Sequence, residues 1–254
     1  MNGMADHNWI RFLEEVNAAK SEICNRGPVW YRGQSNASFI LLPSLLRYAN
    51  GLEKEEFLFS SYRKFSDRII QRRESEWETL FEMQHYGIPT RLLDWTEALG
   101  IALFFAVFYG LSTDQSKADA ALCILNPLAL NLESKVQKIY TIPRDEGDYS
   151  YSKIYWSNII SPKAPIAVEP IFINSRMLAQ RGMFTVHDNS EEPVESRFPN
   201  AIRRVIIPRN IFPAVIEFLE LANINEYSVY PDARGIADFL THSSGLVHRY
   251  TSSI

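Results

Sequence analysis

Apolar residues recur along the chain at two kinds of spacing, one typical of helices and one typical of strands. Spacings of three and four predict an N-terminal helix over residues 8–20. Further helices are predicted over 53–73, from 76 to about 86, and over 97–109, with a short helix after 174 and a final pair after 208. Short apolar runs predict strands at 29–31, 90–95, 120–125, 166–173, 183–187 and 202–207. Because these elements mix without a strict βαβ rhythm, the pattern predicts an α+β fold with a mixed or split β-sheet core flanked by helices.

Local signals place several helix ends and one long loop. Ser75 and Glu78 have the spacing of a capping box, and Thr96 is the expected cap of the apolar helix at 97–109. Residues 140–165 are rich in tyrosine and in residues that break helices and strands, which predicts a long loop. We expect residues 140–156 to form a mobile flap over a functional site, with an ordered loop packed by its tyrosines as the alternative.

Length and composition describe an ordinary globular chain. Its 254 residues, 46% of them hydrophobic, predict one domain over 1–254 with a substantial core. A net charge of −4 gives no general argument for a polyanionic partner, although a local basic groove is compatible with it.

The cysteines and the apolar runs indicate the cellular compartment in which the protein is expected. Cys24 and Cys123 stand alone, which predicts no zinc site and a reducing, cytoplasmic location, with a disulfide between them as the alternative. The first twenty residues lack the apolar core of a signal peptide. The most apolar run, 98–111, is too short to cross a bilayer, so no membrane partner is expected.

The first candidate site segment is Tyr31-Arg32-Gly33-Gln34, where an arginine follows a strand and precedes a glycine. A guanidinium fork beside exposed backbone suits a phosphate or pyrophosphate, with Gln34 as an uncharged donor. The alternative is an ion pair between Arg32 and a carboxylate in the core.

The second candidate segment, residues 84–96, places several polar side chains in one turn, strand and helix cap: His85, Tyr86, Arg91, Asp94, Trp95 and Thr96. Such a corner at a helix start favours anions, and the aromatic rings offer faces for stacking. The alternative is structural: a pair between Arg91 and Asp94, a histidine with its hydrogen bonds satisfied, and a capping threonine.

Two later segments add polar groups around tight turns. Residues 174–187 contain Gln180, two arginines and a histidine, and residues 230–235 resemble a turn that starts a helix. The chain has no phosphate-binding glycine loop, dinucleotide fingerprint, zinc-protease motif or serine-nucleophile motif. Any chemistry must therefore come from dispersed residues, and we expect a cleft that unites a set of them: Arg32, His85, Arg91, Asp94 and Gln180.

Together these segments resemble the FRG family, which is named for an aromatic-Arg-Gly signature. Here the signature is Tyr31-Arg32-Gly33, and the most specific block is HYGIPTRLLDWTEALGIALFFA at 85–106. NSRMLAQRGMFTVH and YPDARG are similar to later blocks, so the resemblance covers about 30–240. It implies a bacterial or phage-associated protein, in some members a toxin or defence effector.

A weaker resemblance points to ADP-ribosyltransferases, which place an Arg or His after an early strand, a hydroxyl residue before an apolar helix, and a Glu late in the chain. It implies NAD as substrate, no metal, and a dinucleotide or nucleotide ligand. The catalytic residues it implies here are Arg32, His85, Thr96 and Gln180. The cofactor-binding residues it implies are Tyr31, Arg32, Gly33, Gln34, Tyr86, Arg91 and Trp95.

This chain departs from the transferase pattern at the last position. Gln180 stands where those enzymes carry a glutamate; Glu97 and Glu169 are candidates to replace it, and the sequence does not decide between them. The implied activity is ADP-ribose transfer to a macromolecular acceptor or NAD hydrolysis. Two alternatives stay open: a metal-independent nuclease that uses His85 and His187, and a non-catalytic module that binds a nucleotide or a regulatory partner protein.

Overall fold

A computed structural model describes residues 3–24, 26–67, 69, 75–111, 118–143, 150–157, 163–171 and 174–245. Within these ranges the chain has the α+β architecture that the pattern predicts, a single mixed sheet with helices packed against it. In the described part of the chain, no helix is both long enough and apolar enough to cross a membrane.

Seven strands form this sheet: β1 (Trp30–Gln34), β2 (Leu92–Thr96), β3 (Ala120–Leu125), β4 (Tyr140–Ile142), β5 (Ile166–Pro170), β6 (Gly182–Val186) and β7 (Ile202–Ile207). Their order is β4-β5-β6-β2-β1-β3-β7. Only the β4–β5 pair is parallel, and the other neighbours run antiparallel. The strands that carry the first two candidate segments, β1 and β2, are therefore neighbours in the middle of the sheet.

The helices of the described residues are α1 (Gly3–Ile23), α2 (Gly51–Ser66), α3 (Glu76–His85), α4 (Leu99–Leu111), α5 (Pro127–Glu133), α6 (Tyr151–Tyr155), α7 (Ser175–Gln180), α8 (Val194–Arg197), α9 (Phe212–Leu221), α10 (Glu226–Val229) and α11 (Ala233–Ser243). The capping box predicted at Ser75 and Glu78 opens α3. The Asn174 side chain caps α7, also as predicted.

Side chains alternate between the two faces of the sheet along the central strands, so the core has a part on each face. On one face, Leu122 and Ile124 of β3 pack under α1, α4 and α9. On the other, Trp30, Trp95 and Cys123 belong to a second cluster. A third cluster joins α2, α3 and α6 to β2, β5 and β6. The apolar character of α4 is thus explained by burial between the sheet and its helical neighbours.

Gly33 allows α4 to lie directly on β1. A Cβ atom at this position would sit 2.7 Å from the backbone nitrogen of Ala106 and closer still to the carbonyl oxygen of Ala102. The missing side chain therefore makes room for a helix, whereas the sequence suggested that it makes room for a ligand.

Several predicted boundaries differ from the structure because tertiary contacts redefine them. Helix α4 begins at Leu99, two residues later than expected, and α5 was not predicted although Asn126 and Pro127 are a recognisable helix start. The predicted loop at 140–165 contains β4 and α6 where it is described, and Tyr151 is fully buried. The end of the predicted helix at 53–73 and residues 144–149 of the predicted flap lie outside the described residues.

The packing of α4 on β1 predicts a large effect of Gly33→Ala. Because the added methyl group meets backbone atoms, strand and helix must separate, and we expect the free energy of unfolding to fall by about 1–3 kcal/mol or more. Gly182→Ala is the matched control, since its nearest neighbour would lie at an ordinary 3.7 Å. Urea denaturation measures both, and equal stability of the two variants would contradict this explanation of Gly33.

Candidate functional site

A cleft of about 400 Å³ opens at the middle of the sheet. Its lining comes from β1 and the residues after it, from β2, from α7 and the start of β6, and from single residues of α3, α4 and the segment after α10. The volume falls in the range of small-molecule sites. The antiparallel pairing of β1 and β2 thus brings two candidate segments, distant in sequence, to one concave surface.

Arg32 lies in this cleft with part of its guanidinium group still free to bind. Its Nη1 donates a 2.7 Å hydrogen bond to the carbonyl oxygen of Asp94 and lies 3.6 Å from Asp94 Oδ2. Its Nε is buried without a hydrogen-bond partner in the described part of the chain. Buried donors are nearly always paired, so an unpaired buried nitrogen in the wall of a cleft is an exception to the usual pattern.

Two further arginines line the cleft. Arg47 donates from Nε and Nη2 to the carbonyl oxygen of Leu42, and burial and the charge of Arg32 lower the pKa of Arg47. Arg176 lies over the Tyr230 ring, with 4.5 Å between the guanidinium carbon and the ring centroid. Among the described residues that line the cleft, Asp94 is the only carboxylate. The surface is therefore positive, although the whole chain carries −4.

Asp94 projects into the cleft and does not bind Arg91, as one interpretation of the sequence expected. Its side chain is 53% exposed, and its Oδ2 accepts a 2.7 Å hydrogen bond from Gln84 Nε2. Thr90 in turn donates to Gln84 Oε1 over 2.6 Å. The Asp94 carboxylate is thus held in place by the Gln84 amide, which Thr90 holds in turn.

Thr96 and Gln180, two residues predicted to be catalytic, lie together, and much of their hydrogen-bonding capacity is used within the protein. Thr96 Oγ1 donates to the carbonyl oxygen of Gln180 over 2.7 Å and accepts from the backbone nitrogen of Ala98 over 3.0 Å. The side chain of Gln180 donates to the carbonyl oxygen of Val229 over 3.2 Å. These contacts tie the start of α4 to α7 and α10, and both residues line the cleft.

Trp95 borders the cleft but is only 2% exposed, so its ring belongs to the floor. Its Nε1 donates to Thr185 Oγ1 over 3.1 Å, and Thr185 is 2.9 Å from Nε2 of His187. Burial lowers the pKa of His187 to about 3, so the imidazole is neutral at pH 7. The Thr185 hydroxyl thus links the Trp95 indole to the His187 ring, and these hydrogen bonds join three buried side chains in the floor of the cleft.

His85 and Tyr86, predicted as catalytic and cofactor-binding residues, are not among the lining residues of the cleft. Tyr86 is 63% exposed and packs edge-on against His85. Burial, and then the charge of Arg176, lowers the pKa of His85. Arg176 donates to the carbonyl oxygen of His85 over 3.3 Å, so the histidine lies behind a lining residue.

Arg91, a predicted cofactor-binding residue, is buried away from the cleft with 1% of its surface exposed. Its guanidinium group binds both carboxylate oxygens of Glu55, the hydroxyl of Tyr151 and the carbonyl oxygen of His187. The pKa of Arg91 is raised, since Tyr151 and Glu55 outweigh the lowering effect of burial. Its neighbour in sequence, Asp94, is not its partner because the buried carboxylate of α2 takes that place.

Of the five residues expected to converge, the structure brings three to the cleft: Arg32, Asp94 and Gln180. Of the cofactor-binding predictions, the cleft includes Tyr31, Arg32, Gly33, Gln34 and Trp95. Neither substitute glutamate, Glu97 or Glu169, lines it. Burial and then the charge of Glu97 raise the pKa of Glu169, so these two carboxylates lie near each other instead.

Several lining residues were not among the predicted site residues: Phe39, Arg47, Gln84, Phe105, Arg176 and Tyr230. Gln84, Arg176 and Tyr230 stand inside the candidate segments and could have been found there. No signal pointed to Arg47, which reaches the cleft from a short helical turn before α2. None of the described residues of the predicted flap lines the cleft. The described residues also contain no group of three or more side chains suited to hold a metal ion.

The buried pair of Arg91 and Glu55 predicts a structural role for this arginine. Arg91→Met leaves Glu55 without its charge partner, and we expect the free energy of unfolding to fall by about 3–5 kcal/mol. Arg11→Met, which breaks an exposed pair with Glu15, should cost less than about 1 kcal/mol. Thermal and urea denaturation measure this difference. A stable Arg91→Met protein that fails to bind its ligand would return Arg91 to the site.

Burial of neutral His187 predicts that acid destabilises the protein. The unfolded chain takes up a proton at this residue below about pH 6.5, whereas the folded chain does so only near pH 3. Stability is therefore lost as pH falls through this window, by about 2 kcal/mol from this group between pH 6.5 and 5. Urea denaturation at pH 7 and pH 5 should show a smaller acid effect in His187→Gln than in wild type. The exposed His7→Gln variant should behave as wild type, and identical acid effects in all three proteins would refute the assignment.

Comparison with known proteins gives one match. Residues 27–115 match the family model of the FRG domain, and this range contains β1, α2, α3, β2 and α4. A search of curated proteins found no match, and a search of solved structures found none. Arg32, Gln84 and Asp94 lie inside the matched range, and α7 and Tyr230 lie beyond it. The match therefore confirms, for residues 27–115, the resemblance to the FRG family that the motifs indicated.

Proposed function

We propose that the cleft binds a dinucleotide of the NAD type through its pyrophosphate, and that the protein uses NAD in an ADP-ribosyltransferase-like reaction. The observation that carries this proposal is the charge of the cleft. Three arginines and one aspartate line it, and among the described residues the buried Arg32 Nε has no hydrogen-bond partner. Arginine is the side chain best suited to paired phosphate oxygens, because its donors match them as a fork.

Arg32 and Arg47 form the proposed pyrophosphate end of the site. Their charges are near enough that Arg32 contributes to lowering the pKa of Arg47. Two neighbouring cations are stabilised when a dianion lies between them. The aromatic rings of Phe39 and Tyr230 line the same cleft and offer surfaces for a base.

The proposed reaction breaks the bond between nicotinamide and ribose. The bonding electrons leave with nicotinamide, and a water molecule or a nucleophile on a macromolecular acceptor attacks the ribose carbon and loses a proton. The ribose becomes positively charged in the transition state, so a carboxylate beside it is stabilising. Asp94 is the carboxylate that the cleft offers for this role, since Glu97 and Glu169 lie elsewhere. Consumption of NAD would suit a toxin or a phage-defence effector.

A non-catalytic nucleotide-binding module is the second candidate. It is favoured by the hydrogen bonds that already occupy the Thr96 hydroxyl and the Gln180 amide, two of the predicted catalytic groups. A module of this kind would bind NAD and report on it to a partner protein. The nuclease alternative has less support, because neither His85 nor His187 lines the cleft.

Calorimetric titration with NAD tests the binding proposal. Arg32→Ala should weaken NAD binding by about one to two decades, the cost of losing a charge-assisted hydrogen-bonding group. Arg32→Lys should also bind weakly, because an ammonium group cannot reproduce the guanidinium fork. The control is Arg11→Ala, which removes an exposed charge from α1 and should bind as wild type. Equal NAD affinity in all four proteins, or no binding by wild type at millimolar NAD, would overturn the proposal.

Release of nicotinamide distinguishes the two candidates. Wild type incubated with NAD should release nicotinamide, and Arg32→Ala should not, if the cleft is catalytic. Binding without release, under conditions where Arg32→Ala fails to bind, would favour the non-catalytic module. Cleavage of RNA or DNA without added NAD would favour the nuclease.

A further inference from the structure

We infer that Asp94, oriented by Gln84, makes the cleft select phosphate esters that carry hydroxyl groups, with the ribose of a nucleotide as the ligand class. This inference rests on the proposed function, because it assumes that the arginines bind phosphate. Asp94 adds a preference for ligands with hydroxyl groups, which the arginines alone do not provide.

A chain of hydrogen bonds fixes the direction of the Gln84 amide. Thr90 Oγ1 accepts a 3.1 Å hydrogen bond from the backbone nitrogen of Leu92 and donates a 2.6 Å hydrogen bond to Gln84 Oε1. Since that oxygen is the acceptor, the Gln84 nitrogen faces Asp94 and donates to its Oδ2 over 2.7 Å. Thr90 is fully buried, so the anchor of this chain does not depend on solvent.

The chain leaves the second oxygen of Asp94 as an acceptor. Oδ2 is held by Gln84 and lies 3.6 Å from Arg32 Nη1. In the part of the chain that the structure describes, Oδ1 has no hydrogen-bond partner, and the side chain is 53% exposed to the cleft. A carboxylate oxygen accepts hydrogen bonds and cannot donate them, so its ligand must bring the proton.

The negative charge of Asp94 also affects which anions the cleft can bind. A carboxylate within reach of Arg32 repels phosphate and lowers the affinity of the cleft for simple anions. A ligand offsets this repulsion only if it donates a hydrogen bond to the same carboxylate. Ribose phosphates meet both demands, since hydroxyl donors lie close to their phosphate groups. Asp94 therefore weakens the binding of bare phosphate and pyrophosphate and favours the binding of nucleotides.

The simplest rival explanation is that Asp94 only balances the charge of Arg32. In that case, removing its charge should strengthen the binding of every anionic ligand alike. Selection by Asp94 instead requires opposite effects on ligands with and without hydroxyl groups. Asp94→Asn separates the two, because Gln84 will hold the new amide by its oxygen and turn its NH₂ group toward the ligand. An acceptor thereby becomes a donor at the same place.

The experiment is calorimetric titration of wild type and Asp94→Asn with inorganic pyrophosphate and with ADP-ribose. We expect Asp94→Asn to bind pyrophosphate at least as tightly as wild type. It should bind ADP-ribose about tenfold more weakly, the size of one hydrogen bond to a charged group. Gln84→Met, which frees the carboxylate to rotate, should lose part of the preference for ADP-ribose while keeping the charge. Asp238→Asn is the matched control, because it removes a carboxylate from the surface of α11 and should change neither titration.

The outcomes separate this inference from the proposal on which it rests. If Asp94→Asn shifts the affinities for pyrophosphate and ADP-ribose in the same direction, the selection by Asp94 is refuted and the anion site stands. If wild type binds neither compound, both ideas are overturned. Melting temperatures measured alongside show that the variants are folded, which the exposure of Asp94 leads us to expect.

Discussion

The close approach of α4 to β1 at Gly33 is the contact on which the rest of the site depends. With no side chain between them, the backbone of Ala102 lies directly against the strand. This contact sets the position of β1 beneath the helix and of the β2–α4 junction at its start. Arg32 precedes the glycine and Thr96 precedes the helix, so one packing constraint positions residues from two distant segments.

Two arginines in the FRG-type segments have opposite roles. Arg91 is enclosed by Glu55, Tyr151 and backbone oxygen, and holds α2 and α6 against the sheet. Arg32 has a backbone oxygen and a distant carboxylate oxygen as neighbours, and keeps an unpaired donor. A charge that is fully paired inside a protein stabilises one arrangement, whereas one that is only partly paired at a cleft retains binding capacity. The two arginines differ in burial, and the sequence does not show this difference.

The cleft combines the positive charge of its arginines with one oriented carboxylate. Its three arginines make the cleft locally positive in a chain whose overall charge is negative. Asp94, fixed through Gln84 and Thr90, places a single negative charge within that surface. The floor beneath is rigid, because Trp95, Thr185 and His187 are joined by hydrogen bonds and buried. A rigid floor and an oriented carboxylate reduce the cost of ordering the site when a ligand binds.

Elements whose signals are local could be predicted from the amino-acid sequence. The capping box at Ser75, the cap at Asn174, and strands β3 and β7 lie where the pattern predicts them, because caps and uniform apolar runs depend on neighbouring residues. The sequence also indicated the match to the FRG domain and named Arg32, which lines the cleft, as a candidate site residue. Three contacts emerge only in the folded chain: Glu55 pairs with Arg91, Gln84 holds Asp94, and Arg47 lies near Arg32. These contacts join residues from separate elements, and they depend on how the helices and strands pack in three dimensions, which the spacing of residues along the chain does not encode.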